Sequence, residues 1–251
     1  MNGHTEPDLT GGGLPGRRQV NHLAHFHLTT RLLPLLERTG RAGAAPSQVI
    51  TVASDAHFAG RCNPRALAGL EPLGRGYNRF AMYCDSKLCN VLFSAELARR
   101  GAAAGILSNA VHPGIVDTGL VRYLFPAAML RERELHPERS ARAARLLGLR
   151  SPAEGAAGAL WLAQRDFFTG KYFSDPGRER APAAPARDPA LAASLWAASE
   201  VLVARAAGEA APAGALEFLR DFEPCPAAAA PAGGGPDLVP SLVRMLLTNT
   251  A

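Results

Sequence analysis

Two short β-branched runs, residues 48–53 (QVITVA) and 106–111 (ILSNAV), bracket a long helical stretch at 80–100, and this order constrains the fold more than any other feature. Strands that run the same way need a crossover between them, and a helix of that length supplies one. The first run lies between a Gly/Ala/Pro stretch and a polar one, as a buried strand does. The helix is closed by Gly101, and the second strand ends at His112-Pro113-Gly114.

Similar elements continue on both sides. Upstream, residues 20–36 place Leu23, Phe26, Leu28, Leu32, Leu33, Leu35 and Leu36 at spacings that suit a mostly buried helix. Pro34 is expected to kink or end it. Residues 58–79 read as a Gly/Pro/Arg-rich loop. Downstream, Ser151-Pro152-Ala153-Glu154 has the form of a capping box with proline at the first helical position. Residues 170–174 (GKYFS) predict a third strand, and a Pro/Ala-rich linker at 181–190 leads to a last helix at 191–207. Alternating strands and helices predict an α/β fold, a partial doubly wound parallel sheet with helices on both faces. Ligands on such sheets bind beyond the carboxyl ends of the strands. Ser54 follows the first strand, Pro113-Gly114 follows the second, and Tyr83 lies near the start of the helix between them.

A chain of 251 residues suits one α/β domain or two small ones. The expected division is a disordered lead at 1–18, a partial α/β domain at 19–207 and a low-complexity tail at 208–251. Within the tail, 227–235 reads as unstructured and 238–247 as a short apolar end. The net charge of +5 does not signal nucleic acid, because the arginines are scattered and only 6% of residues are aromatic. Cys62, Cys84, Cys89 and Cys225 show no paired spacing and read as reduced intracellular thiols. No apolar leader and no run near 18 apolar residues is visible, so a cytoplasmic protein without a transmembrane segment is expected.

The chemistry concentrates at Tyr83 and Lys87. The chain has only two lysines against 25 arginines, and one of them stands four residues after a tyrosine. Chance would place such a pair in roughly 0.03 chains of this length. The spacing puts both on one helical face. An ammonium beside a phenol favours the ionised form, which makes Tyr83 a candidate general acid/base and Lys87 its tuner. Ser54, 29 residues upstream, is placed to hold a substrate oxygen, although a serine after a strand more often caps a turn.

With these residues in view, the chain resembles the short-chain dehydrogenases/reductases. The likeness is strongest to the retinol-dehydrogenase-like branch, and especially to the oxidoreductase domain of the WW-domain-containing oxidoreductase. It is carried by VNHLAHFHLTTRLLPLL (20–36), VITVASDAH (49–57), YCDSKLCNVLFSAELARR (83–100) and SNAVHPGIVDTGL (108–120), with weaker likeness at GKYF (170–173) and LWAASE (195–200). These motifs occur in the family's order and cover about residues 19 to 205. The resemblance implies that Asn21 supports a water near the lysine, Ser54 polarises a substrate carbonyl, and Tyr83 transfers the proton. It implies that Lys87 holds the nicotinamide ribose and lowers the tyrosine pKa, and that Pro113, Gly114, Ile115 and Thr118 line the nicotinamide end of NADP or NAD. The implied reaction interconverts a carbonyl and an alcohol on a small hydrophobic substrate such as a retinoid, steroid or lipid aldehyde.

The family's glycine-rich TGxxxGxG turn and NNAG segment have no counterpart here. Residues 10–16 (TGGGLPG) imitate the turn, but only four residues separate them from Asn21, too few for a βαβ unit of about 30 residues. The expected unit is therefore the C-terminal, catalytic half of a Rossmann-type fold, with activity impaired by truncation and one sheet edge open to self-association or a protein partner. The competing expectation is a non-catalytic protein that uses the residual fold as a binding surface. His22, His25 and His27 lack accompanying acidic or thiolate ligands, so no metal is expected. Trp161 and Trp196 read as core anchors, Cys84 and Cys89 as packing or surface thiols, and the arginines between 131 and 150 as a solvated helix face.

Overall fold

Strands β3 (Ser47–Val52) and β4 (Ile106–Val111) pair in parallel over their whole length, from Ser47 opposite Ile106 to Val52 opposite Val111. They form the centre of a computed structural model that describes residues 9–10, 14–15, 19–43, 45–72, 78–117, 131, 135–136 and 148–223. Ahead of them come a two-residue antiparallel pairing of β1 (Leu9–Thr10) with β2 (Leu14–Pro15), and helix α1 (Ala24–Arg41). Between them run α2 (Pro64–Leu67) and α3 (Arg79–Gly101). Afterwards come β5 (Ile115–Val116), β6 (Leu149–Arg150), α4 (Pro152–Ala163), β7 (Tyr172–Asp175), β8 (Arg178–Glu179), α5 (Pro189–Ala207) and α6 (Ala215–Asp221). By contact the chain divides into two units, Met1–His112 with Gly158–Pro231, and Pro113–Ala157 with Ala232–Ala251.

The first unit holds a four-stranded sheet in the order β3-β4-β7-β8, parallel except for the last pair. Register decides which side chains meet. Ala110 lies opposite Tyr172, and both join the core made with Leu88 and Leu92 of α3 and Leu191 and Leu195 of α5. Their neighbours Val111 and Phe173 face the other way and pack with Leu162, Trp161 and Phe168. The sheet is thus covered on both faces, as alternation along each strand requires. A third cluster joins Phe26 of α1 to Phe93, Leu97 and Trp196. Among the described residues β3 pairs with β4 alone, and α1 presents Leu28, Leu32 and Leu35 to solvent at 59%, 42% and 48% exposure.

Several expectations need correction. Pro34 neither ends nor interrupts α1, which runs on to Arg41. The proline itself is exposed, and on that side of a helix a lost backbone bond costs least. The helix is preceded by a π-helical turn, Gln19–Leu23, that contains Asn21. The loop at 58–79 carries the end of a 3₁₀ turn, Asp55–Ala59, and the short helix α2, capped by Asn63. The tail at 208–251 begins with an ordered helix, α6, whose Leu219 is fully buried with Ala215 and Phe222 in the main core. Its small, alanine-rich surroundings hid those anchors. Residues 227–235 and 238–247 lie outside the described residues, as do most of the arginines at 131–150.

Asn78 caps α3 by accepting from the Ala81 amide at 2.9 Å. Gly101 does not close α3 as expected: it keeps right-handed helical geometry, the chain runs on into a 3₁₀ turn, Ala102–Ala104, and the left-handed residue is Gly105 at φ +69°. Gly105 abuts Gly40, and a Cβ there would come within 2.7 Å of the Gly40 carbonyl oxygen. In the second unit the Ser151–Glu154 capping box is closed, with the Ser151 amide donating to Glu154 Oε2 at 2.7 Å and the Glu154 amide to Ser151 Oγ at 3.2 Å. Helix α5 has the length and mean hydropathy of a membrane span, yet more than half of that stretch is buried inside the protein.

Candidate active site

Tyr83 and Lys87 lie one turn apart in the first half of α3, both half-buried, with Nζ 5.7 Å from the centre of the tyrosine ring. Lys87 reaches across to the end of β3 and donates to the Val52 carbonyl at 3.1 Å. Burial lowers its pKa below the usual lysine value, because the surroundings remove water from the ammonium. Asn90, one turn further along α3, aims its amide at the same carbonyl at 3.5 Å.

Ser54 follows directly, because the β3 ladder extends one step past Val52 through the Ala53 amide to the Val111 carbonyl at 2.8 Å. The backbone at Ser54 is extended, and the chain then turns into Asp55–Ala59. Ser54 caps that turn by accepting from the Ala56 amide at 3.2 Å. The capping and chemical readings are compatible, since a hydroxyl that accepts this bond still has its own hydrogen to donate. Gly60 closes the turn against α3, where a Cβ would lie 2.5 Å from the Cys84 carbonyl oxygen. The Arg61 amide donates to the buried carboxylate of Asp85 at 2.8 Å. These contacts hold the Ser54 turn on the helix that carries Tyr83 and Lys87.

Asn21 joins the same helix. Its amide donates to Ser86 Oγ at 3.0 Å, and Ser86 Oγ donates to the Tyr83 carbonyl at 2.8 Å. Asn21, Ser54, Tyr83 and Lys87 therefore all meet α3 or the adjacent end of β3. Pro113, Gly114 and Ile115 belong to the second unit. There the Pro113 carbonyl accepts from Arg150 at 3.3 Å, Gly114 takes φ +82°, and Ile115 pairs with Leu149. Thr118 lies outside the described residues.

A group absent from the sequence reading surrounds Ser54. Asp55 accepts from Tyr172 Oη at 2.6 Å and from Arg180 Nη1 at 3.0 Å, and His112 Nε2 lies 3.8 Å away. The Tyr172 phenol is pushed well above its ordinary pKa by burial and by the Asp55 bond and charge, so it stays a donor. His57 is fully buried and bridges the Ser54 carbonyl, at 2.8 Å from Nδ1, to the Ala183 amide, at 3.1 Å from Nε2. A carbonyl partner on one side and an amide on the other assign the proton to Nδ1. Sequence spacing carries no sign of this group, because its members are about 120 residues apart. A cavity of ≈ 390 Å³ lies between α3, β7 and residues 179–189, lined by Glu96, Arg99 and Lys171 rather than by Ser54, Tyr83 or Lys87.

His22, His25 and His27 do not share one environment. His22 is buried, bonded to Ser199 Oγ at 2.9 Å and set edge-on to Phe93, while His25 and His27 are exposed. No cluster of three metal-ligating side chains occurs among the described residues.

His57 makes stability depend on pH. Burial pushes its pKa down to about 4 from 6.5, against the raising effects of the Ser54 bond and the Asp55 charge. Above pH 6.5 the ring is neutral in both folded and unfolded chains. Between 6.5 and 4 the unfolded chain holds a proton that the folded one refuses, so stability falls as pH falls. The expected loss between pH 7 and pH 5 is about 2 kcal/mol more for the wild type than for His57→Gln. Urea unfolding at the two pH values checks this, and equal losses in both proteins would refute it.

No family model matches the chain. Retinol dehydrogenase 13 from Homo sapiens is 38% identical over 188 residues, 73% of this chain and 52% of that protein. Retinol dehydrogenase 14 from Mus musculus is 34% identical over 209 residues, 80% of this chain and 56% of that protein. Dehydrogenase/reductase SDR family member 13 from Homo sapiens is 37% identical over 194 residues, 76% of this chain and 47% of that protein. The chain spans about half the length of the curated relatives it matches. The crystal structure of an uncharacterised protein from Mycobacterium Paratuberculosis superposes with a TM-score of 0.54 at 30% identity, covering 79% of this chain and 62% of that one. The parallel sheet, the tyrosine–lysine helix and the shared sequence agree, and over most of its length the chain is homologous to retinol dehydrogenases of the short-chain dehydrogenase/reductase family.

Proposed function

We propose that this protein is an NAD(P)-dependent oxidoreductase that interconverts a carbonyl and an alcohol on a hydrophobic substrate of the retinoid, steroid or lipid-aldehyde class. The observation that carries this reading is the juxtaposition of Tyr83 and Lys87 on α3 with the Val52–Ser54 end of β3. The names of the relatives support the substrate class.

The residues fit the ribose end of a nicotinamide dinucleotide. The Lys87 ammonium has three hydrogens and one bond, to Val52, so two donors are left for ribose hydroxyls. A bound dinucleotide would supply the hydride. Tyr83 gives its phenolic proton to the substrate oxygen in the reducing direction and recovers it in the oxidising one. Lys87 stabilises the tyrosinate between these steps, as an opposite charge on the same helical face does. Ser54 donates its free hydroxyl hydrogen to the same substrate oxygen. Asn21 holds the backbone of α3 at Tyr83 through Ser86.

Titration of the purified chain with NADPH and NADH, followed by nucleotide fluorescence and by melting temperature, tests the reading. Saturable binding with oxidation of the nucleotide by a hydrophobic aldehyde is expected, and no response at millimolar nucleotide would overturn it. The alternative, a binding surface without catalysis, has the exposed Leu28, Leu32 and Leu35 face and the singly paired β3 in its favour. A chain that ignores nucleotide and sediments as an oligomer supports that alternative.

A further inference from the structure

We propose that Asp55 is a positioning residue for Ser54, its carboxylate latching the Asp55–Ala59 turn to the β7–β8 hairpin and so fixing the serine at the end of β3. The inference rests on the oxidoreductase reading only in giving Ser54 a substrate to hold.

The latch has two arms. On one, Asp55 uses both carboxylate oxygens, Oδ1 for the Tyr172 phenol and Oδ2 for the Arg180 guanidinium. Charge-assisted bonds of this kind are short and about twice as strong as neutral ones. Tyr172 and Arg180 are themselves tied together, since the Arg180 amide donates to the Tyr172 carbonyl at 2.9 Å. Arg180 also lies over the Phe58 ring, 4.5 Å from its centre, and so grips the turn at a second point. On the other arm, His57 links the Ser54 carbonyl to the Ala183 amide and sits edge-on to Tyr172 at 4.7 Å.

The geometry suits positioning better than mere fastening. Ser54 has little else to hold it, because its side chain bonds only within its own turn and that turn is a single 3₁₀ segment. Such a turn opens easily unless tertiary contacts close it. One arm acts on the residue that follows Ser54 and the other on the serine's own carbonyl. Every distortion of the latch therefore reaches the serine hydroxyl directly. Misplacing a reacting group by about 1 Å costs on the order of 100-fold in rate.

Asp55→Asn keeps the side-chain shape and removes the charge, and Tyr172→Phe removes a single hydroxyl. Amide hydrogen exchange reads the latch without any need for activity. In Asp55→Asn the Ala56 and His57 amides are expected to exchange at least about tenfold faster, while Leu88 and Leu92 in α3 keep their wild-type rates. In the same variant kcat is expected to fall about 10- to 100-fold at unchanged nucleotide Kd. Tyr172→Phe acts in the same direction with a smaller effect, and it decides the matter if Asp55→Asn does not fold. Exchange at Ala56 within twofold of wild type in both variants would overturn the proposal. So would equal acceleration at Ala56 and throughout β7, the mark of a general staple. A wild type without nucleotide binding or turnover refutes the oxidoreductase reading instead, and the exchange comparison still decides the latch.

Discussion

Tyr83→Phe is expected to lower kcat for aldehyde reduction by about 10²- to 10⁴-fold while nucleotide affinity changes by no more than a few-fold. The substitution removes one oxygen from a half-buried ring and leaves α3 packed, so far-UV circular dichroism and melting temperature serve as controls. The effect is expected in the chemical step, because Tyr83 shares a helical face with Lys87, whose ammonium lies 5.7 Å from the ring centre and reaches the Val52 carbonyl at the end of β3. Lys87→Met is the companion test. Its expected signature is a loss of both turnover and nucleotide affinity, since it removes the charge that tunes the phenol and the donors for the ribose. Stability should not suffer at pH 7. A lysine whose folded pKa is lowered carries a desolvation cost in its charged form, and that cost is present below the folded pKa and vanishes as pH rises toward the unfolded value. Full turnover in Tyr83→Phe would remove the acid/base assignment altogether.

Trp196→Ala is expected to cost about 3–5 kcal/mol of folding stability, read as a shift in the urea midpoint. Only 4% of this side chain is exposed. Its ring stacks on Phe93 at 5.8 Å and meets Phe26 edge-on at 4.9 Å, so it joins α1, α3 and α5 at one point. Arg100 lies over the indole at 4.6 Å from its centre, and the indole N–H donates to Glu200 at 2.9 Å. No small side chain restores these contacts, and the cavity has aromatic walls that cannot collapse into it. Trp196→Phe, which keeps the stacking but loses the indole bond, should cost markedly less. Equal losses in the two variants would show that the hydrogen bond rather than ring packing dominates here. The loss should reach the site as well, because α1 carries the connection to Asn21 and α3 carries Tyr83.

The central part of the fold was legible because it is written in local rules. Periodicity marked β3, β4 and α3 to within a residue or two of their ends, and the Ser151–Glu154 box closes as its spacing requires. Helix α6 was not legible, since seven residues with Leu216, Phe218 and Leu219 make too short a pattern inside an alanine-rich stretch until α5 lies beside it. Pro34 misled for the opposite reason. The local rule that proline ends a helix was overridden at an exposed position.

The sequence alone determined that Tyr83 and Lys87 share a helical face and that Ser54 follows a strand, and its motifs carried the family resemblance. The first two follow from spacing along a single element, and spacing is a property of sequence. Tertiary structure alone decided what holds the serine. Asp55 meets Tyr172 and Arg180, and His57 meets Ala183, only because β4 and β7 pair in one register and turn those side chains toward the end of β3. A one-residue slip would send Tyr172 to the opposite face of the sheet, and no local pattern records which register the packed strands adopt.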